Sequence, residues 1–402
     1  MIPVIYRGSV KDVLGPLLVE RQSSVIFEYS DSFSVFDWGR MPDLLHKKGE
    51  ALAVLAASLF ERFERADTWK EFSRSPMALA MRKANRFGAV FNEIGEELQS
   101  SGLRTHYLGV LEPTSSQSSS KPWSLHSLSQ VQSPFRKIAV RQVHVVKPHL
   151  SSILGRVLPD YYPTRHAPTP KLIPLEVVFR FSCPEGSSLM ERAGRDPAYM
   201  ASIGFPDVSV NSRSLWDFPV LELFTKLEAT DRPVSLSEAL AISGLLASQL
   251  QEILLKTAWV GALLRHWLAQ LGLELADGKI EWAIDAQGKC FLVDAIGPDE
   301  LRILKDGIQL SKEFLRNYYR NSSWYQSVEN AKGQAKWSGV SDWKKLVAEA
   351  PPALPSQVRD LASQMYLSLA NELAEKKWFS EARGIQSVVE ECQGLSLSRA
   401  SF

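Results

Sequence analysis

The sequence predicts an α+β protein with antiparallel strands. Three observations carry this prediction: short β-rich runs divided by Gly, Pro and Ser near the N-terminus, an amphipathic helical pattern over 49–65, and a hairpin pattern in the second half. In the hairpin, residues 279–284 alternate polar and apolar, 285–289 supply turn residues, and 290–293 resume an apolar strand. The rest of the chain is interpreted around this hairpin.

Length, charge and cysteine content limit the function classes. The 402 residues are enough for roughly two to three domains. Lys and Arg number 46 against 45 Asp and Glu, and the net charge of +1 indicates neither a nucleic-acid nor a membrane partner. No apolar run is long enough to span a bilayer, the N-terminus lacks a signal-peptide pattern, and three scattered cysteines favour a reducing compartment. We therefore expect a cytoplasmic protein; a homo-oligomer is compatible with these features, and the oligomeric state stays open.

The first half of the chain combines strands and helices. Residues 2–37 are typical of an antiparallel meander, and a second, more polar helix is predicted over 77–98. The serine-rich segment 112–133 holds too little apolar area to offset the entropy of ordering, so we expect a mobile insertion. The apolar run 173–180 predicts a buried strand that ends on Arg180.

The second half begins with a predicted strand pair over 218–232. Ser235 has the chemistry of a helix N-cap, and the helix that it begins is expected to run to about Leu271 with a break near Trp259. Beyond the hairpin, helices are predicted over 312–319 and 357–377.

The hairpin carries the first candidate site. Asp277, Lys279 and Glu281 recur at period two, so they share one face, and Asp294 closes the return strand near them. Facing carboxylates repel unless a hard cation lies between them, which makes Glu281 and Asp294 candidate Mg²⁺ ligands. An ordinary solvated hairpin face explains the same pattern and stays open as the alternative.

Two further patterns suit anions. Gly8 and Lys11 lie on one predicted hairpin and could contact a nucleotide's phosphates, although a plain turn is the alternative. Arg180 and Arg192 flank a small-residue turn that contains Ser187, which suits a phosphate or carboxylate. For Arg180, an ion pair at the end of its strand is the structural alternative.

Five short motifs follow one another along the chain. They are Tyr6–Lys11 (YRGSVK), Asp31–Asp37 (DSFSVFD), Lys48–Glu50 (KGE), Pro174–Arg180 with Gly186-Ser187, and Asp277–Glu281 with Asp294 and Pro298–Arg302. In this order they resemble YxGKxK, DRxSAFD, GKGE, PxEVVVR…GS and DxKxEF…DExSPDxxR of the phosphoribosylaminoimidazole-succinocarboxamide synthase (SAICAR synthetase) family. The resemblance covers roughly residues 4–325 and leaves the serine-rich insertion and the C-terminal tail outside.

The resemblance implies an architecture and a reaction. A small antiparallel β domain at 1–150, with helical and serine-rich insertions, would pack on a larger α+β domain at 171–312, with ATP in the cleft between them and a helical C-terminal extension at 313–402. ATP would phosphorylate the carboxylate of carboxyaminoimidazole ribonucleotide, and the aspartate amine would displace the phosphate, as in purine biosynthesis. The substrates would be small molecules. An acyl phosphate makes a carboxylate reactive, and forming it needs Mg²⁺ and cations rather than a protein nucleophile.

The resemblance also assigns roles to individual residues. Lys11, Lys279 and Asp294 would be catalytic; Gly8 and Lys11 would contact ATP, and Glu281 and Asp294 would hold Mg²⁺. Residues expected to bind the other substrates are Ser34, Asp37, Arg180, Ser187, Asp231 and Arg302.

Four departures from the family motifs leave alternatives open. Ser9, Ala295, Gly297 and Thr230 replace a lysine, a glutamate, a serine and a histidine of the family patterns. They could compensate for one another, signal a paralogue that ligates a different carboxylate and amine, or mark a nucleotide-binding pseudoenzyme.

Overall fold

The computed structural model describes residues 2–19, 22–113, 123–184, 187–210, 215–228, 230–338 and 342–399. The chain divides into two compact units. Unit one comprises Met1–Leu59, Tyr107–Arg141 and Gly297–Phe402, and unit two comprises Phe60–His106 and Gln142–Ile296. The continuous domains predicted at 1–150, 171–312 and 313–402 stay a prediction. The two units are defined by their internal contacts, and this does not test which segments fold independently.

Unit one combines a six-stranded antiparallel sheet with C-terminal helices. Its sheet has the order β1-β2-β3-β6-β4-β5, and β14 and β15 of this unit pair with each other. The strands are β1 Val4–Arg7, β2 Lys11–Val19, β3 Gln22–Tyr29, β4 Tyr107–Pro113, β5 Trp123–His126, β6 Lys137–Arg141, β14 Leu301–Lys305 and β15 Ile308–Gln309. The helices are α1 Lys48–Glu64, which continues past Leu59, α10 Lys312–Arg320, α11 Ser323–Ser338, α12 Ser356–Leu373 and α13 Ile385–Arg399.

The described ends of the serine-rich segment are ordered. β5 pairs with β4, and Trp123 and Leu125 pack against a core cluster that contains Leu14, Ile26 and Leu111. The expectation of a mobile insertion is therefore wrong for these ends, because two large apolar side chains offset the entropy that the serines lose. Residues 114–122 lie outside the described residues.

Unit two contains the second antiparallel sheet and most of the remaining helices. Its strands pair in the order β11-β10-β9-β12-β13, and β7 and β8 form a separate hairpin. The strands are β7 His149–Ile153, β8 Arg156–Asp160, β9 Lys171–Arg180, β10 Val220–Thr225, β11 Pro233–Val234, β12 Glu274–Ile284 and β13 Cys290–Val293. The helices are α2 Ala66–Ser73, α3 Pro76–Lys83, α4 Ala89–Ser101, α5 Tyr162–Arg165, α6 Ser188–Arg195, α7 Tyr199–Ser202, α8 Leu236–Ser243 and α9 Ala247–Gln270.

These elements confirm the predicted α+β class with antiparallel sheets, and they correct two helix predictions. Ser235 caps α8, with its side chain accepting from Glu238 N, but the break falls at Gly244 rather than near Trp259. Gly244 has φ 69° and ends the helix in the left-handed region, whereas Trp259 lies in the middle of α9. The helix predicted over 77–98 is two helices, α3 and α4, because Asn85 forms side-chain hydrogen bonds that satisfy the backbone of the turn.

Helix α9 is the scaffold on which the unit-two sheet rests. It is buried along most of its length, and a Cβ atom placed on Gly261 would lie 2.8 Å from Phe179 Cδ2 on β9. The strand β9 is thereby held against a rigid helix, and the side chains of its opposite face project from a fixed backbone. The three cysteines are free and buried, and no described helix has the length and apolarity needed to cross a bilayer.

We predict that Gly261→Ala destabilises the protein by about 1–3 kcal/mol, because the added methyl group overpacks the contact with the Phe179 ring. The matched control is Gly333→Ala in the middle of α11, where a Cβ meets nothing within 4 Å. This change should stabilise by about 0.5–1 kcal/mol through helix propensity alone. Urea unfolding measures both values; equal effects of the two substitutions would contradict the close packing of α9 on β9.

Candidate functional site

One face of the unit-two sheet carries the charged side chains of the hairpin. β9 and β12 pair so that Glu176 lies opposite Glu281 and Arg180 lies opposite Asp277. Since residues two apart share a face of a strand, Lys279 projects from the same surface between Glu281 and Asp277. The observed register thus agrees with the period-two prediction, and β9 adds two charges to the same face.

Three carboxylates at this face share two lysines. Lys226 Nζ lies 2.6 Å from Glu176 Oε1 and 2.8 Å from Glu281 Oε1. Lys279 Nζ lies 2.7 Å from the same Glu176 oxygen. Asp294, which follows β13, is the third carboxylate, and its charge acts on both Glu281 and Lys226. The three carboxylates and the two ammonium groups therefore form one electrostatically coupled cluster.

The sharing of lysines gives the carboxylates different protonation states. Glu176 is buried, which favours its neutral form, but the charges of Lys279 and Lys226 outweigh burial and lower its pKa. For Glu281, burial and then the negative charge of Asp294 raise the pKa to about 7, against the opposing effect of Lys226. Burial alone would lower the pKa of Lys226, yet its carboxylate partners raise it. Glu281 is therefore the carboxylate that holds a proton near neutral pH.

Glu281 and Asp294 fit a hard divalent cation, because a cation would remove the repulsion that raises the pKa of Glu281. Asp294 also has φ 71°, a left-handed conformation that residues other than glycine rarely adopt and that often marks functional turns. Among the described residues, no group of three or more His, Cys, Asp or Glu could hold a metal ion. Mg²⁺ bound by these two carboxylates and completed by phosphate oxygens stays a prediction.

Arg180 lies in a buried ion network at the other end of these strands. Its Nε is 2.6 Å from Glu222 Oε2 and its Nη1 is 3.2 Å from Asp277 Oδ2, with 6% of the side chain exposed. Arg192 Nη2 lies 2.5 Å from Glu222 Oε1, and Tyr199 OH donates to the same oxygen at 2.7 Å. Arg180 therefore makes the ion pair that the sequence left open as an alternative, but in the interior rather than at the surface. Its predicted contact with substrate stays a prediction.

Ser187 is an unsatisfied polar group next to this network. It stands at the N-cap of α6 with 3% of the residue exposed, and its Oγ has no hydrogen-bond partner among the described residues. The following residue, Ser188, accepts a hydrogen bond from Arg180 Nη2 at 3.4 Å. Because a buried hydroxyl without a partner is costly and a helix N-terminus favours negative charge, the position suits an anionic group of a ligand. Gly186, from the same motif, lies outside the described residues.

The remaining predicted site residues lie in unit one, except Asp231. Gly8 N donates to Lys11 O at 3.0 Å and closes the predicted glycine–lysine turn. Ser34 is buried, whereas Asp37 is exposed with a left-handed φ of 61°. Arg302 is half-buried in β14.

Sequence reasoning missed three members of the charged face in unit two, namely Glu176, Glu222 and Lys226. Each is a charged residue within or at the end of an apolar strand, where burial demands a partner, and that signal could have identified them. Asp231 was predicted, and it is exposed in the connection between β10 and β11. The structure thus places Lys279, Glu281 and Asp294 in one cluster and Arg180 beside Ser187 in a second.

Comparison with known proteins adds an independent observation. Residues 138–331 match the family model described as SAICAR synthetase. A protein of Archaeoglobus fulgidus, provisionally named phosphoribosylaminoimidazole-succinocarboxamide synthase, is 32% identical over 384 residues, which cover 95% of this chain and 97% of that protein. The phosphoribosylaminoimidazole-succinocarboxamide synthase of Thermoplasma acidophilum is 24% identical over 386 residues, covering 93% and 99%.

A solved structure agrees with these matches at the level of the fold. SAICAR synthase from Saccharomyces cerevisiae, complexed with SAICAR, superposes with a TM-score of 0.53 at 18% identity, covering 94% of this chain and 96% of that one. The predicted similarity of fold is thereby confirmed. The match to the family model ends at residue 331, close to the predicted limit near residue 325, whereas the similarity to the Archaeoglobus protein covers 95% of the chain.

We predict that Glu281→Gln changes how stability depends on pH. Because folding raises the pKa of Glu281 from about 4.5 to about 7, the protonated carboxyl stabilises the wild type at low pH, and this contribution is lost as pH rises through about 7. Between pH 5 and pH 8, the wild type should lose on the order of 2 kcal/mol more unfolding free energy than the glutamine variant. Urea unfolding of metal-free protein at both pH values measures this; parallel pH dependences would show that Glu281 is ionised throughout.

Proposed function

This chain belongs to the SAICAR synthetase family, and we propose that it joins aspartate to the carboxylate of carboxyaminoimidazole ribonucleotide. It is an ATP-dependent ligase that forms a C–N bond in purine biosynthesis. A paralogue with another pair of substrates and a nucleotide-binding pseudoenzyme are not favoured by the comparisons. In the proposed reaction, a carboxylate oxygen of the ribonucleotide attacks the γ-phosphorus of ATP and ADP leaves. The amine of aspartate then attacks the acyl carbon, phosphate leaves, and the nitrogen loses a proton.

The observation that carries the proposal is the cluster of three carboxylates around two lysines. Glu281 and Asp294 would bind Mg²⁺, which neutralises charge on the ATP phosphates when bound. Lys226 and Lys279 lie within 3 Å of the carboxylates in the same cluster, so positive charge is already fixed there before a phosphate arrives. Phosphoryl transfer depends on such positioning and charge neutralisation, and it requires no nucleophile from the protein.

We assign roles to the other predicted residues according to the contacts that their side chains already make within the protein. Lys11 and Gly8 form a tight turn whose lysine can contact ATP phosphates. Ser187, whose buried hydroxyl has no partner in the part of the chain that the structure describes, is assigned to ribonucleotide binding, as is Arg302. Arg180 already donates to two carboxylates, so its main part in the proposed site is to order the strand ends beside Ser187. Roles in substrate binding for Ser34, Asp37 and Asp231 stay predictions.

Asp294→Asn should reduce Mg²⁺-dependent ADP formation by about a hundredfold or more, because asparagine preserves shape but removes an anionic ligand. The matched control is Asp306→Asn, since Asp306 also has a left-handed φ, 50°, but is exposed in the β14–β15 turn. Its activity should match that of the wild type. ADP release with carboxyaminoimidazole ribonucleotide and aspartate measures both. Undiminished turnover in Asp294→Asn, or a wild type indifferent to Mg²⁺, would refute the metal assignment.

Arg180→Ala should mainly lower the stability of the protein, whereas Arg302→Ala should mainly weaken the binding of the ribonucleotide. Removing Arg180 leaves Glu222 and Asp277 buried with too little positive charge and should cost about 3–5 kcal/mol of stability. Removing half-exposed Arg302 should leave the melting temperature nearly unchanged but weaken ribonucleotide binding roughly ten- to a hundredfold. Thermal unfolding and titration calorimetry measure these effects. A stable Arg180→Ala variant that no longer binds ribonucleotide would show instead that this guanidinium contacts substrate directly.

A further inference from the structure

The C-terminal region reaches the Pro298–Arg302 motif through one buried residue, Asp299. Its Oδ1 accepts a hydrogen bond from Tyr366 OH of α12 at 2.6 Å, and its Oδ2 lies 2.8 Å from Lys48 Nζ. The Lys48 side chain is fully buried, and its ammonium also lies 4.9 Å from the ring centre of Tyr366. Three side chains from distant parts of unit one thus form one closed contact.

The protonation states make this contact a strong one. Burial alone would raise the pKa of Asp299, but the charges of Lys48 and Lys312 lower it to about 2, so the carboxylate stays ionised. Burial next to this carboxylate raises the pKa of Tyr366 well above its ordinary value. Tyr366 therefore remains a neutral donor to an ionised acceptor, and such charge-assisted hydrogen bonds are about twice as strong as neutral ones.

Asp299 lies within a short turn that leads directly to Arg302. The amide groups of Glu300 and Leu301 both donate to Gly297 O, at 3.0 and 2.9 Å, and Lys312 N donates to Pro298 O at 3.3 Å. The turn is therefore closed by backbone hydrogen bonds within itself and to α10. The side chain of Asp299 connects the turn to α12 through the hydroxyl group of Tyr366.

Helix α10 contacts the other end of this turn. Glu313 is buried, with Arg316 at 3.0 Å and Arg320 at 2.6 Å from its carboxylate. Burial would raise the pKa of Glu313, but the charges of Arg316, Arg302 and Arg320 lower it. The charge of the Arg302 guanidinium thus acts on a buried glutamate that also pairs with Arg316 and Arg320.

We propose that Tyr366 is a positioning residue for ribonucleotide binding: its hydroxyl group holds Asp299 and so fixes the turn that presents Arg302. The C-terminal helical region is then part of the substrate site rather than an appended tail. This inference rests on the proposed role of Arg302. It agrees with the extent of the Archaeoglobus relative, whose similarity includes most of the C-terminal region.

The test compares two tyrosine variants. Tyr366→Phe removes only the hydroxyl that binds Asp299. The control, Tyr319→Phe, removes a hydroxyl that donates at 3.0 Å to Pro352 O, from a tyrosine that is also buried in the C-terminal region. Calorimetry with carboxyaminoimidazole ribonucleotide and, separately, with MgADP measures binding by wild type and variants, and thermal unfolding measures stability.

We expect Tyr366→Phe to weaken ribonucleotide binding roughly five- to twentyfold, since part of a charge-assisted hydrogen bond is lost from the turn. MgADP binding should be unchanged, and Tyr319→Phe should bind both ligands like wild type despite a similar loss of melting temperature. Equal ribonucleotide affinities of the two variants would overturn the positioning role and leave the proposed reaction intact. A wild type that binds MgADP but no ribonucleotide would overturn both the inference and the proposed substrate.

Discussion

In unit two, three carboxylates and two lysines form one electrostatic cluster, and the charged face of the sheet is arranged around it. Glu176 takes most of the positive charge, because Lys226 and Lys279 both lie within 3 Å of its Oε1. Burial and the negative charge of Asp294 raise the pKa of Glu281 to about 7, although Lys226 Nζ lies 2.8 Å from its Oε1, so Glu281 holds a proton near neutral pH. Such an arrangement costs stability and is retained where a ligand corrects it, as Mg²⁺ with phosphate would here.

The scaffold explains why this costly cluster stays ordered. The face of β9 opposite the charges lies against α9 so closely that Gly261 leaves no room for a methyl group. At the far end of the strands, Glu222 joins Arg180 and Arg192 in a buried network. In unit one, Asp299 has a comparable function, since it joins Lys48 of the first helix to Tyr366 of the C-terminal region. Buried charges that are fully paired thus hold in place the residues assigned to binding.

The parts of the site that could be predicted from sequence were the local ones. Alternation along the hairpin placed Asp277, Lys279 and Glu281 on one face, because a strand imposes period two. Lys226 could not be assigned to Glu281, since no local pattern links side chains more than fifty residues apart, and sheet register decides their contact. The helix break was predicted at Trp259, but this residue is buried in the middle of α9. Tertiary packing accommodates its bulky side chain there, and helix propensity does not include that packing. The order of Trp123 was missed for the same reason: composition suggested mobility, whereas tertiary packing against the core decides.

The central claim is that Glu281 keeps a proton that an incoming cation must displace. Calorimetric titration of MgADP at pH 6.5, repeated in buffers of different ionisation enthalpy, measures the protons released on binding. Metal binding requires an ionised carboxylate, so wild type should release somewhat less than about one proton per site. Glu281→Gln, which has no proton to lose there, should bind more weakly and release close to none. Proton release that is absent from the wild type, or undiminished in the variant, would contradict the assignment of the proton to Glu281.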